Sequence, residues 1–120
     1  MTDHVVVTGL RVPARIGVTE EERAEPQMLV INLDIAADLS NAGESDNLDD
    51  TIDYDALVTR IAGLVEGTEV RLLERMATLV VAEVAKVKGA AGVTVEILKE
   101  KVPVEEDVAD VRVRIERLLG

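Results

Sequence analysis

Apolar and polar residues alternate most cleanly over Gln27 to Ile35, where Leu29, Ile31, Leu33 and Ile35 point one way and Met28, Val30, Asn32 and Asp34 the other. This alternation predicts the clearest strand of the chain. His4 to Thr8, short and β-branched, predicts another; Leu10 to Ile16 continues it, with Gly9 allowing a bulge and Pro13 turned away from any paired neighbour. Gly17 breaks that strand. Thr19-Glu20-Glu21-Glu22 then has the form of a capping box, which starts a helical turn that stops before Pro26. Val93, Val95 and Ile97 alternate with Thr94, Glu96 and Leu98 in a strand that runs out at Lys99, and Val111, Val113 and Ile115 alternate with Arg112, Arg114 and Glu116 in the last one. A charged loop, Glu100 to Asp107, interrupted by Pro103, joins these two.

Between the strand pairs the period changes. Asp38 to Asp50 is a polar, acidic connection without periodicity. Leu57, Ile61 and Leu64 then recur at helical spacing, behind Thr51 or Asp53 as a cap, with Gly67 in the place of a left-handed C-terminal residue. A second helix carries Leu73, Met76, Val80, Val84 and Val87 on one face and is ended by Gly89. The order ββααββ predicts one α+β domain over residues 1–120, an antiparallel sheet with two helices on one face. The uncovered face carries Asn32, Asp34, Glu96, Arg112 and Arg114, with Glu and Arg positioned for cross-strand pairs. Long free edges are a liability that identical subunits remove by closing edge to edge into a ring around a wet channel.

Composition narrows the partners. The core is aliphatic, for the chain has no Phe and no Trp, and Tyr54 is its only aromatic residue. A formal net charge of −11 disfavours nucleic acid and anionic membrane, which require clustered Lys and Arg. No apolar run approaches the ~20 residues of a membrane span, and Met1-Thr2-Asp3-His4 lacks a signal pattern, so a cytoplasmic location is expected. With no cysteine and one histidine, thiol nucleophiles, Cys or His metal clusters and a Ser-His triad within one chain are excluded. Asp46-Asn47-Leu48-Asp49-Asp50 lacks the glycine and the distal glutamate of a calcium loop, so no metal is expected there.

No Walker loop, G-x-G-x-x-G, H-E-x-x-H or G-x-S-x-G is present. Four scattered residues carry the candidate chemistry: Glu22 in the turn after Gly17, Tyr54 and Glu74 at helix starts, and Lys99 at a strand end. Singly, each has an ordinary structural role: capping partner, half-buried packing, dipole complement, solvated terminus. Glu74, directly after Leu72-Leu73, nevertheless places a carboxylate beside free N–H groups of a first helical turn, acceptors and donors suited to a flat heterocycle with an amino-amide edge.

Gly9-Leu10, Ile16-Gly17-Val18, Glu22, Gln27, Ser45-Asp46-Asn47-Leu48, Thr51-Ile52-Asp53-Tyr54, Leu72-Leu73-Glu74 and Val95-Glu96-Ile97-Leu98-Lys99 together resemble the dihydroneopterin aldolase family over nearly the whole chain. The resemblance implies the tunnelling fold, a homo-oligomeric ring with its sheets forming a barrel, two rings stacking into an octamer, and sites at subunit interfaces. It implies that Glu74 takes hydrogen bonds from the pterin, that backbone N–H groups at Leu72 and Leu73 hold the pterin carbonyl, and that Tyr54 arrives from the neighbouring subunit. Glu22 and Lys99 would flank the substrate's hydroxylated side chain, with Lys99, Tyr54 and Glu22 serving a retro-aldol cleavage of 7,8-dihydroneopterin that needs no cofactor.

The segment Lys99-Glu100-Lys101-Val102-Pro103-Val104-Glu105-Glu106-Asp107 departs from the family's proline-rich loop ending in Pro-Gly. Its lack of glycine, like the tract Ile16 to Glu22, is similar to the sister enzyme, dihydroneopterin triphosphate 2′-epimerase. A triphosphate wants clustered cations, and only Arg15, Arg71 and Arg75 offer local compensation in this acidic chain, which favours the aldolase. A non-catalytic ring that binds a pterin or purine is the third reading, and it would need chiefly Glu74.

Overall fold

The structure is a computed structural model that describes residues 2–101 and 104–120; Pro103 lies outside the described residues. Strand β1 (Asp3–Ile16) pairs antiparallel with β2 (Gln27–Ala37), β2 with β4 (Gly92–Lys99), and β4 with β5 (Arg112–Leu118). The expected bulge is present: the β1–β2 register shifts between Val7 and Leu10, where Gly9 takes a φ of 77° and donates its N–H to Asn32 Oδ1 at 2.7 Å. The long helices α3 (Tyr54–Glu66) and α4 (Leu73–Ala85) pack on each other and on one face of the sheet. Leu29, Ile31, Leu33 and Ile35 from β2 meet Leu57, Ile61, Met76, Val80 and Val84 in a fully buried layer. Each such side chain contributes about 1.5–3 kcal/mol by leaving water.

The ββααββ frame holds, with amendments. The connection Asp38 to Asp50, expected to be irregular, contains a short helix α2 (Ser40–Ser45) and a 3-10 turn (Leu48–Asp50). Both are held by polar side chains instead of an apolar face: Ser40 N–H and hydroxyl donate to Asp38, and Asp49 N–H donates to Asn47 Oδ1. A two-residue strand β3 (Glu69–Val70) joins the sheet parallel to the end of β1, so the order is β3-β1-β2-β4-β5 and one pairing is not antiparallel. Gly67 is not left-handed: its φ is −87°, and a Cβ there would lie 3.2 Å from the Gly63 carbonyl, so glycine serves close approach. The fourth helix stops at Ala85, short of Gly89; Val87 lies beyond it yet still packs on the core.

On the uncovered face, Glu96 is the centre of the charged network. It accepts from Asn32 Nδ2 at 3.0 Å, Arg112 Nη1 at 2.6 Å and Arg114 Nε at 2.8 Å. Burial alone would raise its carboxyl, but the bonds from Asn32, Arg114 and Arg112 outweigh that and hold it below the ordinary glutamate range.

Candidate functional site

Three segments converge at one end of the sheet. Strand β1 ends at Ile16, β2 begins at Gln27, and β4 ends at Lys99 opposite Leu29. Lys99 follows Val95 and Ile97 in the alternation, so it belongs to the helix-covered face. Its side chain is 16 % exposed, and Nζ stands 3.9 Å from Glu22 Oε2, an ion pair beyond hydrogen-bond length.

Glu22 reaches that position through a short helix, α1 (Glu20–Ala24). Thr19 is its N-cap and accepts from the Glu22 N–H at 3.2 Å, while the Thr19 hydroxyl donates to Glu22 Oε1 at 3.3 Å. The Gly17 φ of 156° turns the chain from β1 into this segment, and a Cβ at Gly17 would fall 2.3 Å from Glu22 Cβ. Glu22 therefore packs directly on the backbone of a residue that has no side chain.

The entrance of α4 is tied to the same corner. Ile16 pairs with Val70, and the Gly17 N–H donates to the Val70 carbonyl at 3.2 Å, so Leu72, Leu73 and Glu74 follow within a few residues. The N-cap of α4 is Leu72, which supplies no side-chain hydrogen bond, whereas Thr19 and Asp53 cap α1 and α3. The first-turn N–H groups of α4 thus lack a side-chain capping partner, and the exposed Glu74 carboxylate belongs to that same turn. An oxygen acceptor and a set of N–H donors stand together there.

Tyr54 is elsewhere. It opens α3 behind the Asp53 cap and lines an open cleft with His4, Val5, Leu48 and Ile52. Val5 pairs with Ile35 and Lys99 with Leu29, so the two places are separated by six positions of β2, about 20 Å along the strand. Tyr54 is 62 % exposed. One chain therefore sets Glu22 near Lys99, ties the segment leading to Leu72, Leu73 and Glu74 to the same corner through Val70 and Gly17, and leaves Tyr54 apart. The Glu22 segment also depends on Arg15, Arg23 and Gln27, whose side chains bond its carbonyls. The sequence carried no signal for Arg23, because a guanidinium reaching back over its own helix follows no fixed spacing.

Comparison with known proteins bears on this arrangement. The family model described as dihydroneopterin aldolase matches residues 5–116. The dihydroneopterin aldolase of Bacillus subtilis is 32% identical over 116 residues, 96% of this chain and 97% of that protein. Dihydroneopterin aldolase 1 of Arabidopsis thaliana is 38% identical over 78 residues, 65% of this chain and 53% of that protein. The crystal structure of E. coli dihydroneopterin aldolase in complex with neopterin superposes with a TM-score of 0.87 at 31% identity, covering 96% of this chain and 98% of that one.

Proposed function

The chain belongs to the dihydroneopterin aldolase family, and on that premise we propose that it cleaves 7,8-dihydroneopterin into 6-hydroxymethyl-7,8-dihydropterin and glycolaldehyde. The observation that supports the reading is the Glu22–Lys99 pair, linked through the Gly17–Val70 backbone bond to the segment that leads into the uncapped start of α4 and Glu74. Glu74 accepts the amino and ring N–H groups of the pterin, two charge-assisted bonds in a planar fit. The first-turn N–H groups at Leu72 and Leu73 receive its carbonyl oxygen. The trihydroxypropyl chain then extends toward Glu22 and Lys99.

The bond that breaks joins the first and second of the three hydroxyl-bearing carbons of the side chain, counted from the ring. A base takes the proton of the departing hydroxyl as that carbon becomes the aldehyde, and the bonding electrons pass into the protonated C=N of the dihydropterin. An acid then returns a proton to the carbon left on the ring, so the protein only moves protons. Lys99, Glu22, Tyr54 and water divide that work, each positioned group contributing about 10²–10⁴-fold.

The remoteness of Tyr54 from Lys99 within one protomer supports a site shared between subunits. The sheet supports closure as well: β5 is one edge, and β3 covers β1 on the other edge only at Arg15 and Ile16. Edge-to-edge joining gives a ring, two of which stack into the octamer. Arg15 Nη1 donates to the carbonyls of Arg23 and Ala24, and the scarcity of cations in this acidic chain favours the uncharged substrate over the epimerase reading.

The test is incubation with dihydroneopterin and, separately, its triphosphate. Glycolaldehyde release is expected; an epimerised triphosphate alone would establish the sister activity, and neither product would leave a binding ring. Glu74→Ala should abolish neopterin binding in isothermal titration, and unchanged affinity would remove its role. Mixing inactive Tyr54→Phe and Glu74→Ala proteins under verified subunit exchange should restore activity; none returning would mean that the site is not shared.

A further inference from the structure

A helix of five residues has no stability of its own, since even 12–15 residues are marginal in isolation. Yet α1 carries Glu22, whose side chain lies against the Gly17 backbone with its carboxylate 3.9 Å from Lys99 Nζ. Two guanidinium groups and one amide supply the restraint. Arg23 Nη1 donates to the carbonyls of Gly17 at 2.9 Å and Val18 at 3.1 Å, reaching back from the last turn to the backbone before the N-cap. Arg15 Nη1 donates to the carbonyl of Arg23 at 3.2 Å and to that of Ala24, at the C-terminal end of α1. Gln27 Nε2 donates to Ile16 at 2.7 Å and Glu22 at 3.3 Å. Gly17 is thereby pinned at both ends, its N–H on Val70 and its carbonyl on Arg23.

We infer that Arg23 is a positioning residue for the cleavage step: its guanidinium, bonded to the Gly17 and Val18 carbonyls, fixes the turn that sets Glu22 against Lys99. Arg23 need not touch the substrate. It differs from a surface cation in spending its charge on the uncharged carbonyls of Gly17 and Val18. A lysine keeps the charge and its donors but has a shorter reach and no pre-organised planar fork, and a methionine keeps the apolar stem without a donor. The inference rests on the reading of Glu22 as a residue of the substrate side-chain subsite.

The experiment compares Arg23→Ala, Arg23→Met and Arg23→Lys with the unaltered full-length protein. Glycolaldehyde release should show kcat/KM about tenfold lower for Ala and Met, carried in kcat, with Lys recovering part. Affinity for pterin itself, which lacks the side chain, should stay within about twofold, because the Glu74 subsite is on another element. In a Glu22→Gln background the Arg23→Ala loss should shrink below about twofold, since the group it positions is already gone.

A purely structural arginine would lower pterin affinity and turnover alike, and its effect would multiply with that of Glu22→Gln; either result overturns the inference, as does unchanged turnover. Should Arg23→Ala fail to fold, the Met and Lys pair makes the same comparison. An unaltered protein that releases no glycolaldehyde removes the underlying reading, whereas an active one indifferent to Arg23 removes only this inference.

Discussion

Replacing Glu96 by Gln isolates the charged network of the uncovered sheet face. The wild-type carboxylate is 10 % exposed and accepts from three side chains. An amide of the same shape keeps one acceptor oxygen but turns a donor toward a guanidinium, so one charge-assisted bond is lost and one donor faces another. Such a bond is worth about 1.5–3 kcal/mol. Arg114 is largely exposed and recovers water on release, which draws the net cost toward the lower half of that range, about 2 kcal/mol. For a domain of this length that is a fall in Tm of roughly 8 °C.

The pH dependence follows from the direction of the shift. Glu96 titrates lower in the folded protein than the ~4.3 of an unfolded glutamate, so its stabilisation is complete above that pH and drains away as pH falls through the lower folded value. Urea melts of wild type and Glu96→Gln at equal protein concentration should therefore differ by a constant amount from pH 7 to about pH 5, begin to converge as pH falls below the ~4.3 of the unfolded glutamate, and meet once the folded carboxylate is protonated. A gap that is independent of pH, or no gap at pH 7, would refute the account of the network.

Gly17→Ala should cut cleavage by about 10²-fold, because the new Cβ drives Glu22 away from Lys99 by roughly 1 Å; Gly9→Ala, at a φ of 77° but with open space around it, should lose stability and keep its turnover per folded molecule. Lys99→Met should lower kcat by about 10²–10⁴-fold while pterin still binds in titration calorimetry. Asp53→Ala removes the bond to Ala56 N–H at 3.1 Å and should cost about 1 kcal/mol in denaturant melts.

The strands and long helices were legible because one face of each is buried and alternation records which. Leu29 to Ile35 gave both the strand and its core side, and the unlike charges of Glu96, Arg112 and Arg114 foretold their pairing across strands. The short helix at Ser40 was hidden because it buries nothing and rests on local side-chain bonds. Gly67 misled because glycine answers two needs, left-handed backbone and close approach, and a sequence does not say which. In the site, the capping box already set Glu22 beside Gly17, but its nearness to Lys99 depends on three strand ends meeting, which only the register supplies.

Tyr54 is the chain's sole aromatic residue, and it stands open to solvent on the cleft wall with no indole nearby to mask it. Ultraviolet emission from this protein therefore comes from a single reporter already installed by nature. A bound heterocycle laid against that ring would quench it directly, so occupancy could be followed optically without a dye, a label or an engineered tryptophan.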